Sequence, residues 1–164
     1  MKTKKNLKSP AVYQFIIAFL IIVILAFSLF KEKEDYDKNY NVKLQIINNK
    51  NDQIADFKVS IANNDIQRRR GLMFVKHLPK NYGMLFNFEQ EQYVVMWMKN
   101  TKIALDMLFI DKDNQIVHIK HNALPESKEL IDSRYKVLKI LEINGGLSRK
   151  FGISTGDHIK IALP

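Results

Sequence analysis

Apolar residues are distributed along this chain in two regimes. From Ala11 to Phe30 they run almost without interruption, AVYQFIIAFLIIVILAFSLF, with Tyr13, Gln14 and Ser28 as the only residues carrying polar groups. As a helix such a run is about 30 Å long, the thickness of a bilayer's hydrocarbon core, and it predicts a transmembrane helix. Pro10 suits its first turn, where a missing amide proton has no helical partner to lose. Beyond residue 41 the pattern changes to short segments separated by turn residues. Val42 to Ile46 and Phe57 to Ile61 alternate apolar and polar positions, the period of half-buried strands, and the turn chemistry of Asn48 to Asp52 between them predicts a hairpin.

Asn63 or Asn64 is a helix-cap residue, with Gln67 three positions after Asn64. In the short helix that follows, Ile66 would share a face with Arg70 or Met73. Pro79 and Gly83 end that excursion. Further apolar segments lie at Met84 to Phe88, Tyr93 to Met98, Leu105 to Ile110, Ile116 to Ile119, Val137 to Ile143 and Ile159 to Leu163. A turn at Asp111 to Asn114 and a short Gly-flanked helix at Leu147 to Phe151 complete the pattern. The fold class implied is α+β: a small, mainly antiparallel β-barrel or sandwich with one or two short helices, preceded by the transmembrane helix.

Four lysines, at positions 2, 4, 5 and 8, stand before the apolar run, and the mixed segment Lys31 to Asp35 follows it. The positive-inside bias then makes residues 1–10 a cytoplasmic leader, 11–30 a signal-anchor, 31–41 a charged linker and 42–164 an extracytoplasmic domain. Cleavage near Ser28 is the alternative, since Ala26 and Ser28 are small residues at positions a signal peptidase reads; the domain is then secreted or periplasmic. The chain's net charge of +9 divides accordingly. Removing the four leader lysines from the 26 basic residues leaves 22 against 17 acidic ones, a surplus of +5 with no basic stripe, so a nucleic-acid partner is not expected. With no cysteine, the chain has no disulfide, thiol nucleophile, zinc knuckle or lipoprotein anchor.

Arg68-Arg69-Arg70-Gly71-Leu72-Met73, Gly83-Met84-Leu85-Phe86, Trp97-Met98-Lys99-Asn100-Thr101 and Leu105-Asp106 follow one another in that order. In these motifs, and in Val137-Leu138 through Glu142, Gly145-Gly146 and Gly156-Asp157, the sequence resembles the DUF192 family, also called UPF0127. The resemblance covers essentially all of the domain. It implies a small β-rich fold, frequent secretion or membrane attachment, and no established biochemical activity. Arg68 and Arg70 fall on the family's arginine positions, and Trp97, Lys99, Asn100 and Asp106 on its polar and aromatic ones. Ala104 stands where the family usually carries proline before L-D, and Val75-Lys76 replaces a common aromatic or arginine step.

These six residues are the candidate ligand site. Strand alternation puts Asp106 on one face with Leu108 and Ile110, where a carboxylate needs a partner such as Arg68, Arg70 or Lys99. Trp97 beside the donors of Lys99 and Asn100 suits a small anionic or glycan ligand; a strand-ending turn with a core tryptophan is the plainer reading. The leading functional reading is a membrane-anchored binding or accessory module of the envelope, without a cofactor. A second is a small enzyme acting on carbohydrate with Asp106 as acid or base, which requires Asp111 or Glu142 as a second carboxylate. A third, minor reading is Cu(I) bound by Met96 and Met98, although methionine more often fills cores. His118 and His121 are three apart on an expected strand and face opposite ways, so no metal centre is expected from them. No serine-hydrolase elbow, P-loop or dinucleotide fingerprint occurs.

Overall fold

The structure, a computed structural model, describes residues 10–162, so the leader lysines and Leu163 lie outside the described residues. It comprises two units, residues 1–39 and 40–164. In the first, α1 (Pro10–Asn39) contains a stretch, Ala11–Lys31, long and apolar enough to cross a membrane, a test that a signal sequence also passes. The helix continues over Lys31 to Asn39, the stretch read as linker. Lysine and glutamate are good helix formers, so a helix here needs no apolar stripe.

The second unit begins at Tyr40. β1 (Val42–Ile47) and β2 (Gln53–Ala62) form the expected hairpin, pairing Val42 with Val59 and Leu44 with Phe57. Asn48 closes the turn, its Oδ1 accepting the Lys50 and Asp52 amides at 2.9 Å. α2 (Asp65–Arg70) starts at Asn64, whose side chain accepts the Gln67 amide, while Gln67 Oε1 accepts the Asn64 amide in return. No residue of α2 is buried, and Ile66 is 82% exposed, so the shared apolar face does not form. The helix is held by its cap and by Arg68 instead.

The chain then enters β3 (Tyr82–Gln92), parallel to β2, and continues through β4 (Val95–Met96), β5 (Leu105–Ile110), β6 (Ile116–Ala123), β7 (Ile131–Asp132), β8 (Val137–Asn144), α3 (Leu147–Lys150) and β9 (His158–Ala162). Seven strands form one sheet in the order β6-β5-β8-β3-β2-β1-β9, antiparallel everywhere except β2–β3; β4 and β7 pair separately. The sheet curls into a half-barrel rather than a closed barrel or a two-sheet sandwich. Its outer strands meet at one end, where Gln115 bridges to His158. There the Ile116 amide donates to the Asp157 carbonyl and the Gly156 amide to the Ile116 carbonyl, both at 2.8 Å. The class is mixed α+β, as the patterning implied.

All six residues of β5 are buried. A strand buried on both faces lies between two apolar layers. One layer contains Leu44, Phe57, Val59, Leu85, Leu108, Leu141 and Ile143. The register places Met107 opposite Glu142, and Phe86 and Phe109 opposite Ile140, on the other face. Close strand approach is needed where β3 meets β8: a Cβ on Gly83 would lie 2.6 Å from the Glu142 carbonyl oxygen and 3.1 Å from Ile143 Cγ2. Replacing Gly83 with alanine is expected to destabilise the protein by about 1–3 kcal/mol, because backbone must shift to admit the methyl group. A urea midpoint unchanged from wild type in a G83A variant would contradict this packing.

Candidate functional site

The second face of the sheet opens into a cleft of about 380 Å³, of a size suited to a small ligand. Three elements build it. β3 supplies Phe86 and Phe88, α2 and the turn after it supply Asp65 and Arg68 to Met73, and residues 94–97 supply Val94, Val95, Met96 and Trp97. Thr101 and Glu142 complete the lining. Gly71 lets the helix end over β3: it has φ +47°, and a Cβ there would sit 3.1 Å from the Phe86 ring.

The three arginines have different tasks. Arg68 is the one turned inward, its side chain 16% exposed. It donates to the carbonyls of Asn63 (2.9 Å) and Asn87 (2.8 Å), pairs with Asp65 at 2.5 Å and lies 5.4 Å from the Phe88 ring centroid. Its guanidinium is thereby committed to joining α2 to β3. Arg69 and Arg70 are exposed, and no ion pair or side-chain hydrogen bond engages either among the described residues. The motif reading named Arg68 and Arg70; Arg69 also lines the cleft.

Glu142 is the unusual member. It is 4% exposed, and its Oε2 is buried without a hydrogen-bond partner. Burial alone pushes its carboxyl up to about 8, so the acid is mostly neutral at pH 7. In sequence the signal was an acidic residue inside Ile140-Leu141-Glu142-Ile143, which counted as a family match and as a possible second carboxylate.

Lys99 Nζ lies 5.2 Å from the Trp97 indole centroid, although β4 ends at Met96 and no strand aligns the two. Trp97 lines the cleft, 47% exposed, and is not a core residue. Asn100 makes the turn: it has φ +59°, a left-handed conformation asparagine tolerates, and its carbonyl accepts the Phe74 amide at 2.8 Å. Met96 and Met98 do not share a strand face. Met96 lines the cleft, and Met98 is fully buried.

Asp106 lies on the opposite side of the sheet from Glu142, since it pairs with Ile143 whereas Glu142 pairs with Met107. It is fully buried, and its partner is no cation. Oδ1 accepts the amides of Asn122 (2.6 Å) and Gly146 (3.0 Å); Oδ2 accepts the amide (2.8 Å) and the hydroxyl (2.6 Å) of Ser148. A bulge in β6, with Asn122 at φ +48°, aims the first of these donors. Gly146 has no side chain with which to cap α3, and the carboxylate of Asp106 does so from another strand. Burial raises its pKa, but the four hydrogen bonds outweigh it and the net shift is downward. Asp111 is likewise engaged, its Oδ1 accepting the Asp113 and Gln115 amides at 2.9 Å. The carboxylate pair required for carbohydrate hydrolysis is therefore not assembled around Asp106. His118 stacks on Phe109, His121 meets Ser148 Oγ at 2.8 Å, and no cluster of three His, Cys, Asp or Glu residues suited to a metal occurs among the described residues.

Comparison with known proteins agrees with this fold. The family model DUF192, described as an uncharacterized ACR, matches residues 46–161. A crystal structure from Sinorhizobium meliloti 1021, described as that of "a putative transcription regulator", is 39% identical with a TM-score of 0.71, covering 73% of this chain and 92% of that one. A protein of unknown function from Novosphingobium aromaticivorans DSM 12444 is 29% identical with a TM-score of 0.69, covering 73% and 84%. No match is found among the curated proteins.

The buried acid gives the site a pH signature. Below the ordinary value of 4.5, Glu142 is neutral both folded and unfolded. Between there and about 8 the unfolded chain ionises first, the folded state binds more protons, and stability falls as pH rises. Relative to an E142Q variant, wild type should lose about 1.4 kcal/mol per pH unit across that interval. Denaturant titrations at a series of pH values check this, and parallel profiles for the two proteins would refute it.

Proposed function

The chain belongs to the DUF192 family, and we propose that its domain is a binding module for a small anionic ligand with an apolar body. The observation that carries this reading is the pair of unengaged guanidinium groups, Arg69 and Arg70, on a cleft whose walls are aromatic and aliphatic. Arginine suits carboxylate and phosphate because its planar fork donates two parallel hydrogen bonds. Phe86, Phe88, Val95, Met96 and Trp97 offer the apolar contact that a body of several carbons would bury. Trp97 with Lys99 above it also favours a glycan acid as a second ligand class, stacked through its ring. The regulatory role in the Sinorhizobium protein's description is said of that protein; three arginines on a short helix beside an apolar cleft favour a small ligand over nucleic acid.

We further propose that residues 11–30 anchor the protein in a membrane, with the N-terminus cytoplasmic and the domain outside, in keeping with the four leader lysines and the exposed apolar side chains of α1. Cleavage near Ser28 would release the same domain. The module would then serve the envelope as a tethered or released binder.

Two outcomes are expected. With the full chain in nanodiscs, calorimetry against 3-phenylpropionate, octyl phosphate and glucuronate should find binding to at least one anion, weakened tenfold or more, about 1.4 kcal/mol, in an R69A/R70A double variant; equal affinity in the variant would refute the arginine site. Fractionation of expressing cells should leave the protein in the membrane pellet through a carbonate wash, with the domain open to protease only from outside. A soluble protein that begins after residue 28 would instead establish the cleaved form.

A further inference from the structure

Glu142 is not explained by packing. A carboxyl in a desolvated wall without a hydrogen-bond donor is unfavourable, and a leucine or glutamine there would remove an ionisable group from the middle of the sheet. Asp106, one residue along in the register on the other face, shows how this fold satisfies a buried carboxylate: it surrounds it with three amides and a hydroxyl. Glu142 has no such donors, and its Oε2 is buried and unpartnered in the lining of the cleft. The missing donor can therefore come from whatever fills that space. The rim is chemically opposite. Arg69 and Arg70 offer exposed donors to an anion, and Phe86, Phe88 and Trp97 line the same cleft with aromatic surface.

We propose that Glu142 receives the ammonium group of the ligand, so that the cleft selects a zwitterion with its amine at the sheet, an apolar body between the aromatic rings, and a carboxylate or phosphate at the arginine rim. An aromatic or aliphatic amino acid, or a small peptide-like molecule, has this chemistry. The inference rests on the anion-binding reading and adds the second end of the ligand. Binding is coupled to a proton: the neutral acid gives up its proton to solvent as the ammonium arrives, so a carboxyl and a cation become a carboxylate–ammonium pair and one released proton. The other charged groups lining the cleft are Asp65, Arg68, Arg69 and Arg70, all from α2; β3 and β5 set Met84 and Met107 beside Glu142, and residues 94–97 and Thr101 bring no ionisable group. Release should therefore track Glu142 itself.

The test is calorimetry on the full chain in nanodiscs with three probes of one shape: L-phenylalanine, 3-phenylpropionate, which lacks the amine, and 2-phenylethylamine, which lacks the carboxylate. Wild type should bind phenylalanine at least tenfold more tightly than either. At pH 7, in buffers of differing ionisation enthalpy, it should release close to one proton. An E142Q variant should keep the 3-phenylpropionate affinity, which reports an intact cleft, and lose both the preference for phenylalanine and the proton release. If wild type binds 3-phenylpropionate as tightly as phenylalanine, or E142Q leaves their ratio unchanged, the role of Glu142 is overturned while the anion site stands. If none of the three binds while octyl phosphate or glucuronate does, the zwitterion reading falls and the anion site stands; if no anion binds either, both readings fall.

Discussion

The pairing of β5 with β8 is the constraint on which the rest depends. Because β5 is buried along its whole length and β8 from Ile140 to Ile143, a polar side chain there must find a partner or remain at a cost. Two carboxyl groups occupy this pair, one register step apart and on opposite sides. The fold answers one of them fully: Asp106 gathers donors from β6 and from the start of α3, tying three segments distant in sequence to one point. It leaves the other, Glu142, unanswered on the face that opens to solvent through the cleft. The first is a structural use of a buried charge; the second is an acid left without a donor in the lining of the cleft.

The same contrast explains what the sequence could and could not tell. Local signals were legible because local physics decides them. The Asn64–Gln67 capping box, the turn at Asn48 to Asp52 and the Gly-flanked helix at Leu147 all form as the residues imply. Strand ends were less legible: β2 extends back to Gln53 by pairing with β1, β3 reaches Tyr82 by pairing with β2 and Gln92 by pairing with β8, and β7 exists only because β4 is there to pair with it. Asp106 was recognisable as a buried carboxylate needing a partner, but not its donors, since backbone amides carry no sequence signature. Glu142 was visible as an acidic residue in an apolar strand. That it faces the cleft follows from register, which no single strand encodes.

The motif glycines and arginines divide between architecture and site in the same way. Gly83 permits two strands to approach, Gly71 lets α2 end against Phe86, and Arg68 fastens that helix to β3. Their joint effect is to hold Arg69 and Arg70 beside the aromatic wall. A helix that buries none of its own side chains is held here by its cap and by Arg68, so the rim of the cleft rests on polar contacts more than on packing.

The corner at which Gln115 meets His158 has a further consequence for the life of the protein outside its own fold. A curled sheet that stops short of closing has two free edges, and a free edge is a template on which another chain can add a strand. Joining β6 to β9 at one end removes part of both edges at once. Lys120 on β6 and Lys160 on β9 place a charge on what remains, the device by which many β proteins discourage edge-to-edge stacking. The corner and the two lysines together leave less open edge on which a second strand could add.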